Sequence, residues 1–162
     1  MTRGPYGKLA LDPGFHQQDI GFNVSHSGRL ALIAMARGRR LGVDIEKMGS
    51  GARIDIISRR FFSTQEDNSI RALPEELKIA AFHACWTRKE AVVKALGGSI
   101  TKLYNRIIVS TAPNGPVQIL QMTSDGADGE WHLRDLPVDE GYAAALCYGG
   151  APAAVFLWQP EE

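Results

Sequence analysis

Two carboxylates spaced two apart in "LGVDIE" (41–46), a third carboxylate in "CWTRKEAVVKAL" (85–96), and a lysine one helical turn beyond it are the residues of this chain best suited to chemistry. Side chains alternate along a strand, so Asp44 and Glu46 point the same way, roughly 7 Å apart. Like charges that close repel, and strands disfavour both residue types. Such a pair is either solvated or has something positive between its members. In the second segment Glu90 follows Trp86 by four residues and precedes Val93 by three, on the stripe that Ile79 and Phe82 begin. That stripe is otherwise apolar, and a buried carboxylate without a cation or a donor is expensive. An exposed Glu90–Lys94 helix pair is the plainer reading. The chemical reading is that Asp44, Glu46 and Glu90 offer three hard oxygen donors, the set Mg²⁺ takes while keeping waters and substrate phosphates. Lys94 then offers a phosphate a point charge.

A second candidate segment is "FNVSHS" (22–27), in which Asn23, Ser25 and Ser27 alternate with Phe22, Val24 and His26 ahead of Gly28. It reads as a short extended piece carrying hydroxyls and an imidazole. Hydroxyls and a histidine near a turn often do no more than bond backbone. A serine-hydrolase reading fails, because the chain has no G-x-S-x-G elbow.

The elements that must hold these residues follow from pattern. "LALIAMA" (30–36), "RGRR" (37–40) and "LGVDIE" read as strand, basic turn and strand, hence a β-hairpin with its second strand half-buried. A short helix is expected over 54–63, and a second over 63–73 with Ser63 and Glu66 as a capping box. A long helix follows, with Pro74, Glu75 and Glu76 at its start and Gly97 and Gly98 at its end. Strands are expected near 105–110, 117–122, 130–136, 142–148 and 154–159, and residues 1–21 read as loop. The fold class is therefore α+β, an antiparallel sheet packed on a long helix.

Composition narrows the function classes. With 162 residues the chain is long enough for one cored domain. Lys plus Arg equals Asp plus Glu at 18 each, so no global field recruits nucleic acid or an anionic membrane. No apolar run reaches membrane-spanning length and the amino terminus lacks a signal-peptide core, so the expected location is the cytoplasm. Cys85 falls in an expected helix and Cys147 in an expected strand, as buried thiols of a reducing compartment.

In order, "GPYGKL", "FNVSHS", "LGVDIE", "RFFSTQE" and "WTRKEAVVKALGGSI" resemble the Sfp-type class of 4′-phosphopantetheinyl transferases, over residues 4 to about 105. The resemblance implies transfer of the phosphopantetheine arm of coenzyme A to a serine of an acyl or peptidyl carrier protein, leaving adenosine 3′,5′-bisphosphate. Such reactions serve fatty acid, polyketide or nonribosomal peptide biosynthesis. The family pattern makes Asp44, Glu46 and Glu90 the Mg²⁺ site and Glu90 the general base. Lys94 stabilises the transferring pyrophosphate, and Lys8, Ser25 and His26 grip the nucleotide and phosphate end of coenzyme A. The whole chain reads as one transferase-like domain, with a loop-rich lead-in (1–21), the catalytic motifs (22–105) and a strand-rich tail (106–162).

The chain departs from the pattern in three places. Leu9 follows Gly7 and Lys8 where the family usually has proline, and "GGSITKLY" differs from the family's turn after the long helix. The family's first lobe is also almost wholly absent, because its closing motif begins at Gly4. That absence implies exposed strand edge open to self-association. It also keeps open a degenerate half-transferase that binds coenzyme A or a carrier protein without turnover. A metal-dependent nuclease is disfavoured by the neutral charge balance.

Overall fold

The computed structural model describes residues 2–3, 9–10, 19–49, 54–98, 103–124 and 127–159. In chain order the strands are β1 (Thr2–Arg3), β2 (Leu9–Ala10), β3 (Ile20–Ser27), β4 (Leu30–Arg37), β5 (Leu41–Lys47), β6 (Ile107–Val109), β7 (Ile119–Met122), β8 (Trp131–Asp135) and β9 (Tyr142–Gly149). Helices α1 (Ile54–Phe61), α2 (Thr64–Arg71) and α3 (Glu75–Leu96) lie between β5 and β6. This is the expected α+β fold. Its centre is a three-stranded antiparallel sheet in the order β5-β9-β8, covered on one face by α3 and on the other by the β3–β4 hairpin. Among the described residues, no helix is long and apolar enough to cross a membrane.

Local chemistry explains the helices. Ser63 accepts from the Glu66 N–H while the Glu66 carboxylate accepts from the Ser63 N–H, so the capping box is complete. Pro74 caps α3, whose first turn carries Glu75 and Glu76, and Gly97 ends it in the left-handed conformation. The second half of α3 is buried on nearly every side, including Thr87, Arg88, Lys89 and Glu90. Apolar periodicity therefore marks only part of the face the helix buries.

Four expectations need correction. The hairpin partner of β4 is β3, through a two-residue turn at Gly28 and Arg29, while β5 pairs with β9 instead. Gly28 has φ +58°, the positive value such tight turns need, whereas "RGRR" bridges the hairpin and the sheet. Strand β5 is buried on both faces from Leu41 to Ile45, because helix and hairpin sandwich it. Residues 151–159 form no strand, and Phe156 and Trp158 there are 89% and 81% exposed. Lastly, the 1–21 segment is not uniform loop, since β1 pairs with β2 and β3 begins at Ile20.

Candidate active site

The close approach of helix and sheet depends on Gly42. A Cβ there would lie 2.3 Å from the Ala91 carbonyl oxygen and 2.4 Å from the Ala95 nitrogen, so only glycine lets the α3 backbone rest directly on β5. Two residues along that strand face stands Asp44. Lys94 reaches across from α3, donating from Nζ to Asp44 Oδ1 at 2.6 Å, Ser25 Oγ at 3.1 Å and the Val43 carbonyl at 3.2 Å. The ion pair of Lys94 is thus with Asp44, between elements, rather than the exposed helix pair with Glu90 that is the plainer sequence reading.

The alternation of "FNVSHS" serves the edge of β5 that faces away from β9. There the N–H groups of Val43, Ile45 and Lys47 donate to side chains of β3: Asn23 Oδ1 at 2.9 Å, Ser25 Oγ at 3.3 Å and Ser27 Oγ at 2.9 Å. Period-two side chains on one strand match period-two donors on the next. The two serines also donate, Ser25 to Asp44 Oδ1 at 2.9 Å and Ser27 to Glu46 Oε2 at 3.0 Å. Each hydroxyl therefore ties a carboxylate to the backbone N–H one residue further on.

Glu90 is 5% exposed, and its donor is the Tyr104 hydroxyl at 2.6 Å from Oε1. The sequence calls for such a partner without naming it. Burial pushes both Asp44 and Glu90 above the ordinary carboxylate range; Lys94 and Ser25 oppose this at Asp44, and Tyr104 and Lys94 at Glu90. The charge of Glu46 raises both, and Asp44 raises Glu90, so the three carboxylates sense one another.

Asp44, Glu90, Lys94 and Ser25 come together, with Glu46 beside them. His26 is exposed and, by strand alternation, faces away from Ser25. Lys8 lies outside the described residues. Among the described residues, no three of His, Cys, Asp and Glu converge closely enough to hold a metal ion as they stand. The expected three-carboxylate cage is not formed in this arrangement, and the Lys94 ammonium occupies Asp44 Oδ1. The donor chemistry nevertheless suits Mg²⁺: all donors are hard oxygens, and Asp44 Oδ2 is buried without any hydrogen-bond partner. Mg²⁺ commonly takes only one or two carboxylates beside water and phosphate oxygens.

Sequence reasoning misses the pair next door. Arg88 and Lys89 are both fully buried, Arg88 on Asp135 and Lys89 on Glu66. A cation pair between Thr87 and Glu90 reads as a solvated face, and no local spacing names partners 47 and 23 residues away.

The family model of the 4′-phosphopantetheinyl transferase superfamily matches residues 40–147. The 4′-phosphopantetheinyl transferase HetI of Nostoc sp. is 34% identical over 96% of this chain and 60% of its own length. A 4′-phosphopantetheinyl transferase of Bacillus subtilis is 33% identical over 80% of this chain and 55% of its own length. The chain thus spans little more than half the length of these relatives. Among solved structures, a holo-(acyl-carrier-protein) synthase from Bacillus anthracis str. Ames in complex with CoA (3′,5′-ADP) superposes with a TM-score of 0.55 at 20% identity. The match covers 67% of this chain and 93% of that one. At that identity the likeness is one of fold.

Proposed function

The chain belongs to the 4′-phosphopantetheinyl transferase superfamily, and we propose that it moves the 4′-phosphopantetheine arm of coenzyme A to a serine of an acyl or peptidyl carrier protein. The observation that carries this reading is the pair of buried Asp44 with half-buried Lys94, with Glu90 beside it and Asp44 Oδ2 left without a donor. Asp44, Glu46 and Glu90 would hold Mg²⁺, which when bound neutralises charge on the pyrophosphate.

The chain's own residues do the rest. Glu90 takes the proton of the carrier serine hydroxyl, whose oxygen attacks the phosphorus bearing the pantetheine arm. The new O–P bond forms as the bond to the bridging pyrophosphate oxygen breaks, and adenosine 3′,5′-bisphosphate leaves with the electron pair. Lys94, already beside Asp44, offsets negative charge on the pyrophosphate as it is cleaved. Burial suits Glu90 to its task, since a carboxylate raised above its ordinary range is a better base. Lys8, Ser25 and His26 are assigned to the nucleotide and phosphate end of coenzyme A. Ser25 has its proton on Asp44 and accepts from Ile45 and Lys94, so it meets a phosphate only by exchanging one of those bonds.

The test is incubation with coenzyme A, Mg²⁺ and an apo carrier protein, read as the mass gain of one phosphopantetheine on the carrier. Transfer that is lost on chelation and in Glu90→Gln is expected. Coenzyme A binding by calorimetry without any mass gain would overturn transfer in favour of the half-transferase that only binds.

A further inference from the structure

Each of the three carboxylates receives one hydroxyl proton, and each hydroxyl comes from another element. Ser25 donates to Asp44, Ser27 donates to Glu46 Oε2 at 3.0 Å, and the Tyr104 hydroxyl donates to Glu90 Oε1 at 2.6 Å. The reaction proposed above uses neither Ser27 nor Tyr104. We propose that Ser27 and Tyr104 are positioning residues: each fixes one oxygen of its glutamate, Glu46 or Glu90, and leaves the second oxygen to take a divalent cation. The inference rests on the reading of Asp44, Glu46 and Glu90 as a cation site.

Three neighbouring carboxylates repel one another, and a glutamate has enough rotatable bonds to swing away from its like-charged neighbours. A single donor on one oxygen prevents that swing and leaves the second oxygen for ligation, because a carboxylate offers about four lone-pair sites. Both hydroxyls are themselves fixed. The Tyr104 ring is 3% exposed and packed between Phe61 and Trp86, with centroids at 5.4 and 5.5 Å. Ser27 Oγ accepts from the Lys47 N–H at 2.9 Å, which turns its proton toward Glu46. Outer hydrogen bonds of this kind orient metal-ligating groups and tune their affinity.

The experiment titrates Mn²⁺ into the 162-residue chain by calorimetry and electron paramagnetic resonance, comparing it with Tyr104→Phe and Ser27→Ala. Thermal unfolding is recorded on the same samples. Phenylalanine keeps the ring packing and deletes only the hydroxyl. Each variant is expected to bind Mn²⁺ about 10- to 100-fold more weakly, with an altered Mn²⁺ spectrum and an unfolding midpoint near that of the unsubstituted chain. Unchanged affinity in both variants would overturn the positioning role while leaving the cation site in place. Weakening that merely follows a fallen unfolding midpoint would overturn it as well, because the hydroxyls would then serve packing alone. Failure of the unsubstituted chain to bind Mn²⁺ would overturn the cation site itself and the inference with it.

Discussion

Two buried charge clusters meet helix α3 from different sides, anchored by the adjacent residues Lys89 and Glu90. On the first side Lys89 spends three donors on Glu66 Oε1, Glu66 Oε2 and the Ile107 carbonyl, and Glu66 also accepts from the Ser63 and Val109 N–H groups. Arg88 is likewise committed, to both oxygens of Asp135 and to the Ser110 and Ala112 carbonyls. No polar side-chain atom there is orphaned, and cations and carboxylates balance. On the other side, among the described residues, Asp44, Glu46 and Glu90 face the ammonium of Lys94, one carboxylate oxygen has no partner, and two carboxylates are pushed up by burial. Burial of charge is common to both clusters. What separates them is that one is closed, while the other holds surplus negative charge and an open acceptor.

The closed cluster should therefore be worth most to stability. Lys89→Met leaves Glu66 buried without its cation, and breaking such a pair costs roughly 3–5 kcal/mol. Urea unfolding of this variant should show that loss, and the double variant Lys89→Met/Glu66→Leu should recover part of it, since an apolar pair replaces a buried ion pair at little cost. Equal stability of Lys89→Met and the unsubstituted chain would erase the structural half of the comparison.

The open cluster should behave in the opposite way. Asp44→Asn is expected to weaken Mn²⁺ binding at least about 100-fold, near 2.8 kcal/mol at about 1.4 kcal/mol per tenfold. Its unfolding free energy should change by about 1 kcal/mol or less, because the lost pair with the partly exposed Lys94 is offset by relief of repulsion with Glu46 and Glu90. Calorimetric titration and urea unfolding on the same preparation separate the two numbers. A variant that unfolds like Lys89→Met yet binds Mn²⁺ normally would reverse the roles of the clusters.

How much of this was legible in the sequence follows from the range of the interactions. The capping box at Ser63 and Glu66, the span of α3 and the pairing of Asp44 with Glu46 on one strand face are set within a few residues and read directly. Glu90 stands out because it falls on the stripe of Ile79, Phe82, Trp86 and Val93. Tyr104 does not, because its tie to Glu90 crosses from α3 to the short 3₁₀ turn before β6, and no periodicity links the two. The pairing of the hairpin is hidden for a similar reason: strand pattern marks β4 and β5 equally well, while their partners are chosen by the Gly28 turn and by the distant β9. The tail at 154–159 has strand-like composition but pairs with no strand among the described residues, and composition alone does not make a ladder.

Exposed charge should act differently from either cluster. Arg59 and Arg60 are exposed in the last turn of α1, near Ile56, which is 69% exposed. An acidic carrier protein would meet this basic, partly apolar patch. Arg59→Glu with Arg60→Glu should reduce the carrier association rate about tenfold at low salt and flatten its salt dependence, leaving coenzyme A affinity and unfolding unchanged. Stopped-flow association at several salt concentrations measures this. An unchanged rate at low salt would move the carrier surface elsewhere.

The smallest effect belongs to His83, and it asks whether an orphaned buried atom alone marks a site. His83 Nε2 accepts from the Gly49 N–H at 3.3 Å, so Nδ1 carries the proton, and Nδ1 is buried without an acceptor. Unlike Asp44, it has no neighbouring surplus of charge; its ring meets Phe82 edge-on at 5.2 Å. Burial lowers its pKa from the ordinary 6.5, so the folded chain takes up this proton less readily than the unfolded chain. Its contribution to stability is therefore complete above the ordinary imidazole value and declines as pH falls below it. His83→Gln should remove that decline, seen as a narrowing of the stability difference between the two chains as pH is lowered from about 8 to about 5. Mn²⁺ binding and transfer should be untouched. If His83→Gln instead abolished either one with no change in the pH dependence of unfolding, the unpartnered atom rather than the imbalance of charge would be the mark of function, and the contrast between the two sides of α3 would fail.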